Sequence, residues 1–179
     1  MEPADEPHGQ RLRDPQALGD LLIYRLGRLY ATAGAMTLRV CEGEFGIARR
    51  EWRLLAVLGE IGEGGHLQPS ELATRAELDR ARTSRALASL QAKGLVARQA
   101  VASDRRLAHV TLTDPGRALY LRMLPRVAAI NGAILAPLGD NDIAQLDHLL
   151  DALQCQATQV LDASVWPKAD RRRGGRKPG

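Results

Sequence analysis

The chain is poor in cysteine and in aromatic residues, and it has no long apolar run. Cys41 and Cys155 are its only cysteines among 179 residues, too few and too far apart for a disulfide framework or a zinc-ligand spacing. That suits a reduced compartment. No uninterrupted apolar stretch approaches the roughly 20 residues that a membrane span needs, and the opening MEPADEPHGQ is acidic, without a charged-then-apolar signal pattern. A cytoplasmic chain with no membrane partner is expected. The four histidines, His8, His66, His109 and His148, are dispersed, and HExxH, GxSxG, a glycine-rich phosphate loop and CxxC are all missing. We therefore expect no catalytic residue, no metal site and no cofactor. Phe, Tyr and Trp make up 3% of the chain, with none between Asp79 and Arg106, which removes the base stacking that single-stranded RNA recognition relies on.

What is present begins with size and charge. The 179 residues, 45% of them hydrophobic, suffice for one domain of ordinary size with its own core. The net charge of +4 has an uneven source. The last fourteen residues, WPKADRRRGGRKPG, hold Lys168, Arg171, Arg172, Arg173, Arg176 and Lys177 against Asp170 alone, so residues 1–165 sum to −1. A basic, disordered tail at 164–179 accounts for the overall balance. More telling is the segment from Asp79 to Arg106, where seven basic residues (Arg80, Arg82, Arg85, Lys93, Arg98, Arg105, Arg106) meet only two acidic ones.

Residues 1–13 lack apolar periodicity and carry two prolines, so they read as a flexible arm. The first helix is expected from Asp14, an N-cap with Pro15 at the first helical position. Leu18, Leu22, Leu26, Leu29, Ala33, Met36 and Val40 then recur at steps of three and four, until a break at Gly43 to Gly46. A stripe that long should pack partly against another subunit. The next helix, ARREWRLLAVLGEIG, is apolar at Trp52, Leu54, Leu55, Val57 and Leu58 and should be buried.

Two short helical patterns follow, QPSELATRAEL and DRARTSRALASLQAK. Pro69 and Glu71 suit the start of the first, and Asp79 can cap the second. On the second, Thr83, Leu87 and Leu90 share one face, while Arg82, Arg85 and Ser89 lie opposite among Ala81, Ala88 and Ala92. Small alanines between arginines let a helix approach a DNA groove, and arginine pairs bidentately with guanine. Ser84 lies beside this face, within reach of a base or a phosphate. Leu95–Val101 and Leu107–Leu112 then alternate around SDRR, as a hairpin would. Arg105 and Arg106 at its tip suit a narrow minor groove, with Asp104 orienting a neighbouring arginine. This order is a winged helix-turn-helix, mainly α with a small β-hairpin wing, and double-stranded DNA is its expected partner. The helix after it, DPGRALYLRMLPRVAAINGAILAPLG, should bend at Pro125 and close at Pro137. From Asn141, Ile143, Leu146, Leu150, Leu153, Ala157 and Val160 form a seam suited to a partner helix.

These residues resemble the MarR (multiple antibiotic resistance regulator) transcription factors. Asp104, Arg106, Val110, Leu112, Thr113 and Gly116 are similar, in order, to the family's D-x-R-x-x-x-V-x-L-T wing and its following glycine. Leu72, Ala73, Leu78, Asp79, Leu90, Lys93, Gly94, Leu95 and Val96 resemble its helix-turn-helix and K-G-L-V junction, and Trp52 stands where members often have an aromatic residue. Gln68 departs from the Ser or Thr cap common there. The likeness covers residues 14–163. It implies a DNA-binding lobe at about 47–113, a homodimer built by long N- and C-terminal helices at 14–43 and 114–163, and a pseudopalindromic operator. It also implies a small-molecule effector, commonly an aromatic acid or phenol, held between the dimer helices and the lobe. Tyr24 and Arg28, four residues apart, would then supply an aromatic platform and a carboxylate-binding fork, with Trp52 completing the pocket. The function expected is a ligand-responsive DNA-binding repressor. Two alternatives stay open: a thiol- or oxidant-sensing repressor acting through Cys41, and a winged-helix protein-interaction module without specific DNA binding.

Overall fold

The computed structural model describes residues 9–101 and 104–163, and for 101 and 104–107 it gives the backbone alone. The start of the expected arm, residues 102 and 103 of the expected wing and the arginine-rich tail lie outside the described residues. The chain divides into two compact units, Met1–Ile134 and Leu135–Gly179.

The first unit opens with a single helical turn, α1 (Gln10–Arg13), and a 3-10 turn (Leu18–Asp20). Then come α2 (Leu22–Leu38) with a π-helical turn (Arg39–Glu44), α3 (Arg49–Glu60), α4 (Pro69–Arg75) and α5 (Arg80–Ala92). Strands β1 (Val96–Val101) and β2 (Asp104–Leu112) and helix α6 (Asp114–Leu135) complete it. The second unit carries α7 (Asp140–Ala163). A mainly helical chain with one two-stranded antiparallel sheet is the winged helix-turn-helix expected.

The long first helix does not start at Asp14. Asp14 ends α1 instead, its N–H donating to the Gln10 carbonyl at 3.0 Å. The cause is Asp20, whose carboxylate accepts the backbone N–H groups of Gln16 and Ala17 at 3.1 and 2.9 Å. A short acidic side chain bonding local backbone offers an alternative to the helix, and Leu21 is extended before α2 begins. At its far end, α2 unwinds through the π-helical turn to Gly46 at φ 63°, a left-handed value that glycine adopts without strain. Ile47 N–H then donates to the Cys41 carbonyl at 2.9 Å.

The lobe follows the sequence closely. Trp52, Leu54, Leu55 and Leu58 of α3 are buried, each a contribution of about 1.5–3 kcal/mol relative to exposure. Pro69 opens α4, and the Glu71 carboxylate takes the Gln68 N–H at 2.8 Å, satisfying the helix start without a Ser or Thr cap. Asp79 caps α5 as expected, accepting the Arg82 N–H at 2.7 Å. Leu54, Leu55, Leu72, Leu90, Val110 and Met123 meet in the core.

The wing strands pair from Val96↔Leu112 to Ala100↔Ala108, then slip to Val101↔Asp104. Leu67 adds a one-residue bridge to Val110, with reciprocal bonds of 3.1 and 2.9 Å. Among the described residues α6 is the one helix long and apolar enough, by length and composition, to cross a membrane. In the lobe it seats Tyr120 and Met123 in the core, and its Arg126 makes a two-pronged bond to Glu44 at 2.7 and 2.9 Å. Pro125 lies inside α6. On α7, Leu146, Leu150, Leu153 and Val160 are exposed, so the predicted seam is a solvent-facing apolar stripe in the single chain.

Candidate nucleic-acid interface

α5 is anchored by one face. Thr83, Ala86, Leu87 and Leu90 are buried, which leaves Ala81, Arg82, Ser84, Arg85 and Ala88 exposed. Two of the arginines are braced by their own helix: Arg82 Nε sits 3.1 Å from Asp79, and Arg85 Nε donates to the Ala81 carbonyl at 3.2 Å. The Arg82 backbone N–H, and beyond it the Arg82 charge, hold the Asp79 carboxyl below its usual range. Asp79 therefore stays ionised and fixes a guanidinium across the start of the helix.

Ser89 is half-buried, and its hydroxyl helps to hold down the carboxyl of Glu51 in a polar node under α5. Steps of 100° put Ser89 at the boundary between the two faces, where spacing cannot decide. In that node Lys93 Nζ lies 2.7 Å from Glu51 and 3.0 Å from the Gly46 carbonyl, and Glu51 also accepts the Ala48 N–H at 2.7 Å. Glu51 is only 3% exposed. Burial pushes its carboxyl up, but the bonds from Lys93, Ser89 and Ala48 outweigh this and hold it below the ordinary value. The node ties the end of α5 to the start of α3 and to the turn after α2. The sequence reading placed Lys93 only within a junction and passed over Glu51, because a carboxylate in a first helical turn ordinarily faces water.

In the wing, Asp104 begins β2, and the backbones of Arg105 and Arg106 lie within that strand. The side chains of Asp104, Arg105 and Arg106 lie outside the described residues. The root of the wing explains two motif positions. Thr113 Oγ1 donates to the Gly94 carbonyl at 2.7 Å and accepts the Gly116 N–H at 3.1 Å. A Cβ at Gly116 would run into the Leu95 carbonyl oxygen, so only glycine lets α6 start this close to the hairpin.

The MarR family model matches residues 45–107, the run from the turn after α2 into β2. The chain is 29% identical over 105 residues to the homoprotocatechuate degradative operon repressor of Escherichia coli, across 59% of this chain and 69% of that one. It is 25% identical over 111 residues to the regulator PecS of Dickeya dadantii, across 62% and 67%. Its fold matches a MarR-family regulator from Silicibacter pomeroyi with a TM-score of 0.64 at 26% identity, over 84% of this chain and 94% of that one. Over the helix-turn-helix and the start of the wing, the chain is thus similar to transcription regulators of the MarR family. Those curated relatives are named as a transcriptional regulator and an operon repressor.

The effector residues expected from MarR resemblance do not converge. Tyr24 is exposed, and Arg28 lines an open hollow with Arg11, Arg25 and Thr32. Trp52 is buried, stacked 6.0 Å from the Tyr120 ring. It also lines a separate cavity of about 240 Å³ with Tyr30, Gly34, Arg49 and Arg53. There Arg53 donates to the Tyr30 hydroxyl at 3.0 Å and to the Ala76 carbonyl at 3.1 Å. Arg49 lies over the Tyr30 ring at 5.3 Å and against Gly34, where a Cβ would collide with its guanidinium. A four-residue spacing pairs neighbours along one helix, whereas this cavity pairs α2 with α3, a tertiary contact that spacing does not encode. Cys41 is fully buried, and burial, followed by the Glu42 charge, pushes its thiol up to about 11. The thiol is protonated and shielded at neutral pH, the reverse of a reactive cysteine.

Proposed function

We propose that this protein is a MarR-type homodimeric repressor of a pseudopalindromic operator, released by a small aromatic acid or phenol. Arg82, Ser84 and Arg85 read the major groove, and Arg105 and Arg106, steered by Asp104, enter the minor groove. α2 and α7 supply the dimer contacts, which bring two α5 helices to half-sites about one DNA turn apart.

The observation that carries the inducer is the double bond of Arg53. One prong holds Tyr30 of α2 and the other the Ala76 carbonyl, which ends α4 just before the turn at Glu77 and Leu78 and the cap of α5. A carboxylate in the cavity would compete for Arg49 and Arg53, and withdrawal of Arg53 would free the carbonyl that positions the helix-turn-helix turn. A cavity of about 150 Å³ accepts benzene, so this one suits a single-ring acid. The Escherichia coli relative, named for repressing a homoprotocatechuate degradative operon, points to the same chemical class. The ligand acts only through a difference in affinity between the DNA-binding and released states.

A thermal-shift panel of hydroxylated phenylacetates and benzoates, followed by operator titration with each hit, tests this. Hits should weaken operator binding, and Arg53→Met should bind the operator yet lose the response. A panel that moves neither melting temperature nor operator affinity would sink the inducer reading. The Cys41-sensor alternative is disfavoured by its buried, protonated thiol. The protein-interaction alternative predicts no salt-dependent duplex binding.

A further inference from the structure

A channel of about 430 Å³ runs between α5 and the wing, and neither the helix face nor the wing tip accounts for it. Its floor is apolar, with Leu87 of α5 and Val110 of β2. Its rims are polar: Arg80 and Ser84 on α5, Ser70 at the start of α4, and Arg98 on β1. Alternation along the hairpin puts Val96 and Arg98 on the face that looks into this channel, together with Ala108 and Val110 of β2. Arg80 and Arg98 therefore stand on opposite banks. They also differ from Arg82 and Arg85, which are braced by Asp79 and Ala81. Among the described residues neither Arg80 nor Arg98 enters an ion pair or a side-chain hydrogen bond.

We infer that this channel is the seat of one sugar-phosphate strand of the operator, with Arg80 and Arg98 clamping its phosphates from either bank and Ser70 and Ser84 supplying hydroxyl donors. The inference rests on α5 entering the major groove and the wing the adjacent minor groove. The two grooves are separated by a single backbone strand, so a protein that fills both must let that strand pass between its two elements. The channel lies there, and its cationic rims match the charge of the strand. Phosphate contacts of this kind set register and orientation and carry no base information. Arg80 and Arg98 are thus positioning contacts that read all sequences alike, unlike Arg82 and Arg85 on the outer face.

The test measures duplex affinity by fluorescence anisotropy across a salt series. Its probes are a site enriched by the wild-type protein from a random pool and a scrambled duplex of the same length. Each neutralised phosphate adds about 0.9 to the salt slope, so Arg80→Gln or Arg98→Gln, present in both protomers of a dimer, should lower it by about two. Affinity for both probes should fall by the same factor, tenfold or more at low salt, with melting temperature unchanged. Arg98→Lys should keep the wild-type slope. If the wild type shows a steep slope and neither glutamine variant changes it, or if the loss is confined to the enriched site, the channel assignment is wrong while the DNA reading stands. A wild type that binds neither probe overturns both.

Discussion

Helices α3 and α7 use similar apolar residues to different ends. Half of the twelve residues of α3 are buried within the chain, and none of the twenty-four of α7 is. α3 is closed around by α5, the wing and α6, so its apolar side chains are already out of water when one chain folds. The stripe of α7 gains that burial only from a second surface. The helix-turn-helix lobe thus folds by its own core, while α7 would gain its burial only in the proposed dimer, where its contribution would depend on protein concentration.

The contrast is sharpest under Leu150→Glu, which puts a charge in the α7 stripe. It should abolish the dimer at micromolar concentration by analytical ultracentrifugation and lower operator affinity at least a hundredfold, while near-ultraviolet dichroism of Trp52 stays native. A dimer that survives the change would mean the seam lies elsewhere. Leu90→Ala works on the other region: its fully buried side chain leaves a cavity in the lobe, and urea unfolding should show a loss of about 3 kcal/mol with the m-value unchanged.

Smaller is Lys93→Met, which leaves the buried Glu51 carboxylate without its cation. Complete burial would make this about 3–5 kcal/mol, but Lys93 is 37% exposed, so screening reduces it to about 2 kcal/mol. The pH dependence has a definite sign. Glu51 is held below its ordinary value in the folded state, so its stabilisation is present above the unfolded pKa and lost as pH falls through the folded one. Wild-type stability should therefore drop more steeply than that of the variant on acidification below about pH 4.5. Parallel curves would deny the node that role. The smallest effect is at Cys41. Native protein should react with a maleimide at one thiol per chain, the exposed Cys155, and at two in urea. Two fast thiols in native protein would reopen the oxidant-sensing alternative.

Much of the lobe was legible because its signals are local. Pro69, the Asp79 cap and the Thr83–Leu87–Leu90 face each report on their own few residues, and the structure uses each as read. Three features were not legible, one for a local reason and two for a tertiary one. Asp20 breaks the first helix by bonding backbone upstream of itself, a choice that competes evenly with continuing an apolar stripe. Ser89 and Glu51 meet across 38 residues, and Arg53 reaches Tyr30 and Ala76 across 23 in each direction. Such contacts depend on how helices cross, which no single-helix periodicity carries. Arg80 and Arg98 escaped notice similarly, since only the folded hairpin sets one opposite the other.

The unequal burial of the two cysteines has a practical side. Nature has left each protomer one addressable thiol, and it sits on α7, off the apolar stripe. A nitroxide or fluorophore attached to Cys155 without any mutagenesis would place two reporters in the proposed pair, and their separation, followed during titration with operator or aromatic acid, would measure the proposed switch directly.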